Sequence, residues 1–507
     1  MLAALALTSC KDDFLEVTSP TDTFIDEYYT TKTSLDESLV AAYAPLHWYD
    51  YGSTYQYNAL NFISEFMSDD LYPNGSSNTD QPYLQLMFNY SCTPIVCVTG
   101  VWSDSFSGVK RANDCIKYAD WVEEKGNITA AEKADYVAQA RLLRAFYYNQ
   151  LWKFYGNVPC YFENLQAPYI EEQLTADEVY AKVIADLEDV INGGALKDDY
   201  PADQKGHVTK PLAYMIFTEM VMIQNDQSRY AKALGYMQEL INSGRYQLVA
   251  NYDDLWDESG EWGPEAIWEI NYFDDNSTRG WSNPLGAGGC VFPRLHGPRD
   301  YQANSSDPKY SDVDAGWGFS AVPLNTVASF EEGDVRKELS AFDMLAHGSL
   351  TSSGGWMETF YCNGKYMCRK GNNKDQKADA DLGFNNNLRV YRYAEVLLNA
   401  AELLLKTGGN ASDAAKYVND VRARAGLKAL NGVDEDVIIN ERRHEFMGEG
   451  KRYFDLVRTG RSASVLTPAN DGGGYRTKGW SEAVRYLPIP QDNIDAAQGT
   501  LKQNGNY

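Results

Sequence analysis

The sequence predicts a mainly α-helical protein. Apolar residues recur at intervals of three and four in several long segments, which is the spacing of one helix face. Short turns that contain glycine join neighbouring segments into pairs. Residues 251–386 lack this spacing and are rich in Gly, Asn, Ser and aromatic residues. We therefore expect about four helix pairs of the tetratricopeptide kind, interrupted by a loop-rich, partly β segment.

The amino-terminal residues indicate a lipoprotein signal. Residues 1–9, MLAALALTS, are apolar and end at Cys10, and Leu7–Cys10 fits a lipobox. The run is far too short to span a bilayer and lacks a basic start, so we interpret residues 1–10 as a truncated or weak signal with Cys10 as the lipidated residue. The alternative is an unmodified cysteine in a leader.

Residues 11–250 predict the first group of helices. Thr33 or Ser34 is expected to cap the first long helix, and Thr175 with Glu178 forms a capping box before a later one. Between these lies a dense aromatic cluster at 47–57, either a ligand platform or the edge of the core. The longer predicted helices cover 101–120, 131–155, 175–191, 211–224 and 229–243.

Residues 251–386 are the segment in which we expect the ligand site. Aromatic residues recur here without helical spacing, and a long irregular segment in a compact protein is usually functional. Residues 266–272 are strand-like. The glycine-rich stretches lack the lysine of a phosphate-binding loop, so phosphate binding is not expected.

Residues 387–507 predict a helical hairpin followed by a charged helix. Gly408 and Gly409 end the first helix, and Ser412 is expected to cap the second. In residues 440–458, Arg and Glu alternate with aromatic residues on what we interpret as one further helix. Charges in this pattern usually pair with each other, so we expect a structural ion-pair network, with a catalytic carboxylate as the alternative.

Several motifs, taken in order, resemble the SusD/RagB family of outer-membrane lipoproteins. The resemblance covers nearly the whole chain, and its strongest motifs are AQARLLRAFYYNQLWKFYGNVP, RYAEVLLNAAE, ERRHEFMGEGKRYFDLVR, YLPIPQDNI and the closing QNGNY. Members of this family capture nutrients, mostly glycans, for a partner TonB-dependent transporter. The resemblance implies a SusD-like fold, a glycan ligand, a SusC-like TonB-dependent transporter as partner, and attachment to the outer membrane through Cys10, facing the exterior.

The candidate ligand contacts combine this resemblance with the aromatic content. In the resembled family, loops after the short helix at 63–70 contribute to the ligand site, and sugar rings stack on Trp and Tyr while carboxylates bind hydroxyl groups. We therefore predict one hydroxyl partner and five stacking rings. They are Asp70, Tyr72, Tyr83, Trp281, Trp317 and Trp356.

Charge and cysteine content restrict partners and cofactors. The 507 residues include 45 basic and 71 acidic side chains, a net charge of −26, which disfavours nucleic acid, anionic membranes and strongly anionic polysaccharides. No cofactor is expected, although the paired aspartates at 253–254 and 274–275 leave a structural calcium ion open. Cys92 with Cys97, or Cys362 with Cys368, could form disulfides, but buried free thiols are favoured.

Two other functions remain open. A glycoside hydrolase needs two carboxylates beside a sugar, one of them with a raised pKa, and the sequence shows no recognisable pair in such a setting. A peptide-capturing receptor is the second alternative, since some members of the resembled family bind peptides and tyrosine stacks on peptides too.

Overall fold

A computed structural model describes residues 24–275, 277–352, 354–374, 379–505 and 507. It confirms the prediction of a mainly α-helical protein with few, short strands. The predicted signal and Cys10 lie outside the described residues.

The amino-terminal half supplies most of the helical scaffold. The predicted capping box of Thr175 and Glu178 is present, whereas the first long helix is capped by Thr31 and Ser34 only reciprocates that cap. The helices are α1 (Ile25–Tyr28), α2 (Lys32–Tyr43), α3 (Leu60–Phe66), α4 (Pro82–Phe88), α5 (Gly100–Glu124), α6 (Ala130–Tyr155), α7 (Ala176–Gly193), α8 (Lys210–Gln224) and α9 (Tyr230–Asn242).

The strands form four antiparallel pairs in the described part of the chain. The pairs are β1 (Val158–Pro159) with β2 (Gln173–Leu174), β3 (Ala266–Ile270) with β8 (Leu388–Arg392), β4 (Tyr301–Ala303) with β6 (Gly348–Leu350), and β5 (Phe342–Asp343) with β7 (Tyr361–Cys362). Only β3 and β8 reach five residues, so these pairs fasten loops together and do not form a layer.

The remaining helices are short in the middle of the chain and longer near its end. They are α10 (Phe292–His296), α11 (Leu324–Val327), α12 (Lys337–Ser340), α13 (Met344–His347), α14 (Tyr393–Lys406), α15 (Ala411–Arg424), α16 (Glu435–Phe446), α17 (Arg452–Arg458), α18 (Ser462–Val465) and α19 (Gln491–Ala496).

The long helices pack in series around one core. Helix α2 packs on α5, α5 on α6, and α6 through α9 each on the next, after which α9 packs on α14 and α14 on α15. Helix α6 is buried around most of its circumference, as its apolar sequence predicts. The carboxyl-terminal hairpin thus continues the amino-terminal scaffold.

The charged segment near the carboxyl terminus forms two helices, not the single one predicted. Helix α16 ends at Phe446 and α17 begins at Arg452. Gly450 between them has a φ of +80°, and a Cβ there would lie 2.8 Å from the Leu60 carbonyl oxygen. The backbone leaves the helix at Met447, whose ψ is 126°, and Gly448 and Gly450 after it fit closely against neighbouring segments. A smaller correction applies to α15, which is capped by Asn410 and not by Ser412.

The predicted ion-pair network is confirmed. Glu445 accepts hydrogen bonds from Arg336, Arg392 and Arg424, all of them buried. Burial alone would raise the pKa of Glu445, but the surrounding guanidinium groups outweigh it and hold that pKa well below its usual range. A general acid needs a raised pKa, whereas the pKa of Glu445 is lowered. The network therefore has a structural role.

The cysteines of the described residues are free and buried, as favoured from the sequence. Cys362 and Cys368 are separated by a 3₁₀ turn at Gly364–Tyr366. In this same part of the chain, no three His, Cys, Asp or Glu side chains lie close enough to hold a metal ion.

Candidate functional site: an aromatic platform

Three of the predicted ligand contacts are buried in the structure. Asp70 is fully buried and its Oδ1 accepts a hydrogen bond from Nε of Arg443 at 2.7 Å. Tyr72 is 1% exposed, with its hydroxyl donating to Asp471 and accepting from the Gly473 amide. Tyr83 is 6% exposed, and its hydroxyl accepts from the Tyr57 amide at 2.9 Å. These side chains brace the loops and are not offered to a ligand, which corrects the sequence interpretation.

Two of the predicted rings, Trp281 and Trp317, meet in one cluster. Their ring centroids are 5.9 Å apart, and both rings are partly exposed. Tyr57 lies 5.5 Å from Trp317, and Tyr51 lies 5.1 Å from Trp281. Tyr55, which is 60% exposed, lies 6.1 Å from Tyr51. We call the five rings of Tyr51, Tyr55, Tyr57, Trp281 and Trp317 the aromatic platform.

A tight turn presents Trp281. Gly280 and Asn283 exchange two backbone hydrogen bonds, so Trp281 and Ser282 form the tip of a two-residue turn. The Asn283 side chain donates to the Thr278 carbonyl at 3.0 Å and braces the turn from outside. The indole is therefore carried by backbone whose hydrogen bonds are satisfied locally.

Trp317 is held by its own backbone on a neighbouring loop. Its amide donates to the Arg294 carbonyl at 2.6 Å, and its carbonyl accepts from Nε of Arg299 at 2.9 Å. The same Arg299 pairs with Asp80 at 3.5 Å. Asp80 of the 71–82 segment is therefore linked to Trp317 of the platform through Arg299. Tyr72 of the same segment is not part of the platform.

The tyrosines of the platform come from residues 50–58. Tyr51 and Tyr57 form an antiparallel bridge, and Tyr55 between them has a φ of +58°, which is unusual for a bulky residue. Asp104 on α5 fixes this loop, since its Oδ1 accepts from both the amide and the hydroxyl of Ser53. The loop is thus fastened to the helical scaffold.

Carboxylates lie around the rings. Burial raises the pKa of Tyr57, and the nearby charges of Asp80 and Asp381 raise it further. Asp381 in turn pairs with Arg294 at 2.7 Å. The platform therefore combines flat apolar faces with charged hydrogen-bonding groups at its margin, an arrangement suited to an uncharged ligand that has both apolar faces and hydroxyl groups.

The remaining predicted ring, Trp356, lies outside the platform. It is 38% exposed and contacts Tyr475 with ring centroids 5.7 Å apart. Its amide donates to the carbonyl of Gly75, whose own amide donates to the carbonyl of Gly318, next to Trp317. Trp356 is therefore connected to the platform through one residue of the 71–82 loop and stays a predicted ligand contact.

The sequence prediction includes two of the five platform rings as ligand contacts. It notes the aromatic cluster at 47–57 but does not assign Tyr51, Tyr55 or Tyr57 to the site. The density of rings in that cluster indicates a ligand site, but it does not distinguish ligand contacts from core residues. Trp48 and Tyr49 of the same run belong to the core. Only the fold separates the exposed rings from the buried ones.

Comparison with solved structures identifies the family. Surface glycan-binding protein A from Bacteroides thetaiotaomicron, solved in complex with laminarihexaose, is 44% identical, with a TM-score of 0.86 and coverage of 94% of this chain and 100% of that one. This chain belongs to the SusD family. Two family models agree, "SusD family" over residues 350–507 and "Starch-binding associating with outer membrane" over residues 13–220.

Other SusD-family proteins resemble most of the chain. Surface glycan-binding protein A from Bacteroides uniformis is 42% identical, with a TM-score of 0.83 and coverage of 94% and 99%. A laminarin binding SusD-like protein is 28% identical, with a TM-score of 0.83 and coverage of 94% and 100%. The starch-binding protein SusD of Bacteroides thetaiotaomicron is 23% identical over 79% of this chain and 78% of its own.

The SusD-family model for the amino-terminal half describes proteins that associate with the outer membrane. In the described part of this chain, no helix combines the length and the hydropathy needed to cross a bilayer.

Proposed function

We propose that this protein binds a glycan on the aromatic platform and delivers it to a SusC-like TonB-dependent transporter, without breaking a bond. The observation that carries the proposal is the contiguous platform with its charged margin, in a chain of the SusD family. The predicted contacts Trp281 and Trp317 are its centre, and Tyr55 and Tyr57 extend it.

The ligand that we propose is a neutral β-1,3-linked glucan of the laminarin type. Two similar proteins support this choice, since one is named for laminarin binding and the other was solved with laminarihexaose. The net charge of −26 also favours a neutral polymer over an anionic one. Each stacked ring contributes on the order of 1 kcal/mol, so binding depends on several rings acting together and on repeated sites along the polymer.

Substitution of single platform rings tests the proposal. We expect Trp281→Ala and Trp317→Ala each to weaken binding of laminarihexaose by about fivefold or more, because each removes one stacking face worth about 1 kcal/mol. Isothermal titration calorimetry measures the affinity. Tyr169→Ala is the matched control, since Tyr169 is 73% exposed and outside the platform.

Three results would contradict this function. Equal affinities for the wild type and both Trp variants would place the ligand elsewhere. New reducing ends in the same incubations would favour the hydrolase, and binding of peptides but of no polysaccharide would favour the peptide receptor.

We further propose that lipidation of Cys10 anchors the protein to the outer membrane, facing the exterior. The lipobox at Leu7–Cys10 and the membrane association described for the family support this. The Cys10→Ala variant should move from the membrane fraction to the soluble fraction while it keeps its affinity for laminarihexaose. Equal membrane retention of the variant and the wild type would refute the anchor.

A further inference from the structure

Two segments far apart in the sequence carry four of the five rings of the aromatic platform. Residues 50–57 carry its three tyrosines, and the turn at Gly280–Asn283 carries Trp281. Each segment has its own local hydrogen bonds, but these do not determine how the two lie relative to each other. The side chain of Arg279 joins them.

Arg279 uses all of its side-chain donors in this connection. Nε donates to the carbonyl of Pro284 at 2.9 Å, and Nη1 donates to the carbonyl of Gly289 at 2.7 Å. These two bonds close the loop that carries Trp281. Nη1 and Nη2 also donate to the two carboxylate oxygens of Asp50, and Nη2 donates to the carbonyl of Tyr51. The five N–H groups of the guanidinium thus each have an acceptor.

Asp50 completes the connection from the opposite side. One of its carboxylate oxygens accepts from the Val291 amide at 2.6 Å, and the other accepts from the Tyr51 amide at 2.8 Å. The pair is buried, with side-chain exposures of 0% for Arg279 and 1% for Asp50. A bidentate, buried pair of this kind has one geometry, because a shift of either segment would leave charged groups without partners.

The Arg279–Asp50 pair affects the positions of two platform rings, those of Tyr51 and Trp281. Tyr51 receives a hydrogen bond from Arg279 on its own carbonyl, and Trp281 follows Arg279 by two residues. Their ring centroids are 5.1 Å apart with an interplanar angle of 81°, so Tyr51 supports the indole edge-on. Trp281 then meets Trp317 at 5.9 Å. The position of the indole relative to the other rings therefore depends on the Arg279–Asp50 pair.

We propose that Arg279, paired with Asp50, is the positioning residue of the aromatic platform. It holds the rings in the arrangement to which an extended neutral saccharide binds. The Arg279 side chain has no exposed surface, so its role is not that of a ligand contact. It acts by fixing two ring-bearing segments before the ligand arrives, so that less conformational entropy is lost on binding. This inference rests on the proposed glycan-binding function.

The chain offers a matched control for a merely stabilising role. Arg336 is also fully buried and bonded to several carboxylates, namely Asp334, Glu441 and Glu445. None of its partners carries or contacts a platform ring. Replacing either arginine removes a buried, bidentate guanidinium, but only Arg279 connects platform segments.

The test compares Arg279→Lys with Arg336→Lys. We expect both variants to have lower melting temperatures, whereas only Arg279→Lys weakens laminarihexaose binding, by about tenfold, measured by calorimetry well below both melting temperatures. Lysine keeps the charge but cannot make the five-donor connection. Asp50→Asn keeps the size of the side chain and part of its hydrogen bonding, and provides a milder variant should Arg279→Lys fail to fold.

A second readout is independent of any ligand. In protein labelled with 5-fluorotryptophan, the ¹⁹F resonance of Trp281, assigned with Trp281→Phe, should shift or broaden in Arg279→Lys and in Asp50→Asn but not in Arg336→Lys. An unchanged Trp281 resonance, or an equal loss of affinity in the Arg279 and Arg336 variants, would overturn the inference. Absence of laminarihexaose binding by the wild type would contradict the proposed ligand, while the ¹⁹F comparison would still decide the positioning role.

Discussion

At the scale of single residues, Asp104 shows how burial changes a carboxyl group that supports the site. It is fully buried on α5 and receives two hydrogen bonds from Ser53 of the platform loop. Burial raises its pKa to about 7, because the hydrogen bonds that favour the ionised form do not offset the loss of hydration.

The raised pKa predicts the direction of a pH dependence. The folded state binds the Asp104 proton more tightly than the unfolded state, in which the carboxyl group has its ordinary pKa of 3.8. The contribution of this group to stability is therefore fully present below about pH 4 and is lost as the pH rises through about 7. We expect Asp104→Asn to flatten this part of the pH profile of the free energy of unfolding, measured by urea denaturation between about pH 4 and 8.

The control for this prediction is Asp203→Asn, at an exposed carboxylate. Its profile should run parallel to that of the wild type. Parallel profiles for Asp104→Asn and the wild type would show that Asp104 is ionised in the folded protein across this range.

At the scale of elements, the contact between α5 and α6 depends on a glycine. A Cβ at Gly108 would lie 2.3 Å from Cε2 of Tyr147, a fully buried ring whose hydroxyl donates to the Ala42 carbonyl at 2.7 Å. The two helices therefore approach more closely than an alanine would allow.

This close approach reverses the usual effect of Gly→Ala in a helix. We expect Gly108→Ala to lower the free energy of unfolding by about 1–3 kcal/mol, because overpacking outweighs the gain in helix propensity. Gly235→Ala, in α9, is the control: nothing lies within 4 Å of its Cβ, so it should stabilise by about 0.5–1 kcal/mol. Chemical denaturation of both variants measures the difference, and stabilisation by Gly108→Ala would contradict the helix contact.

The elements also show what the sequence can predict. Helix α6 was predicted within one residue, because its apolar spacing and the glycine and proline that follow it at 156–159 are local signals. The charged segment at 440–458 was predicted as one helix but is broken at Met447, where the backbone becomes extended before Gly448 and Gly450, both of which have positive φ. A side chain at Gly448 would meet Asn363 and one at Gly450 would meet Leu60, so contacts with distant residues maintain the break.

At the scale of the whole molecule, the net charge of −26 determines which polymers can approach. Stacking on neutral sugar rings involves no net charge on the ligand, so salt should affect it little. Interactions between charges, in contrast, are screened beyond about 10 Å at ~0.1 M salt. We therefore expect the affinity for laminarin to change less than about twofold between ~0.02 and ~0.5 M NaCl. Affinity electrophoresis or calorimetry at several salt concentrations measures this. A steep decrease with salt would indicate an electrostatic ligand site and contradict the platform proposal.

The sequence by itself determined the helical class, the approximate position of most long helices, the family resemblance and the expectation that charged residues near the carboxyl terminus pair with each other. These follow from local periodicity, capping residues and motif order. Only the tertiary structure decided which aromatic residues face outward. Tyr72, Tyr83 and Trp281 look alike in the sequence, but the first two are enclosed by distant segments, while Trp281 stands on a turn fastened through Arg279 to residues more than two hundred positions away. Exposure depends on contacts between remote parts of the chain, and such contacts leave no local pattern for a sequence to show.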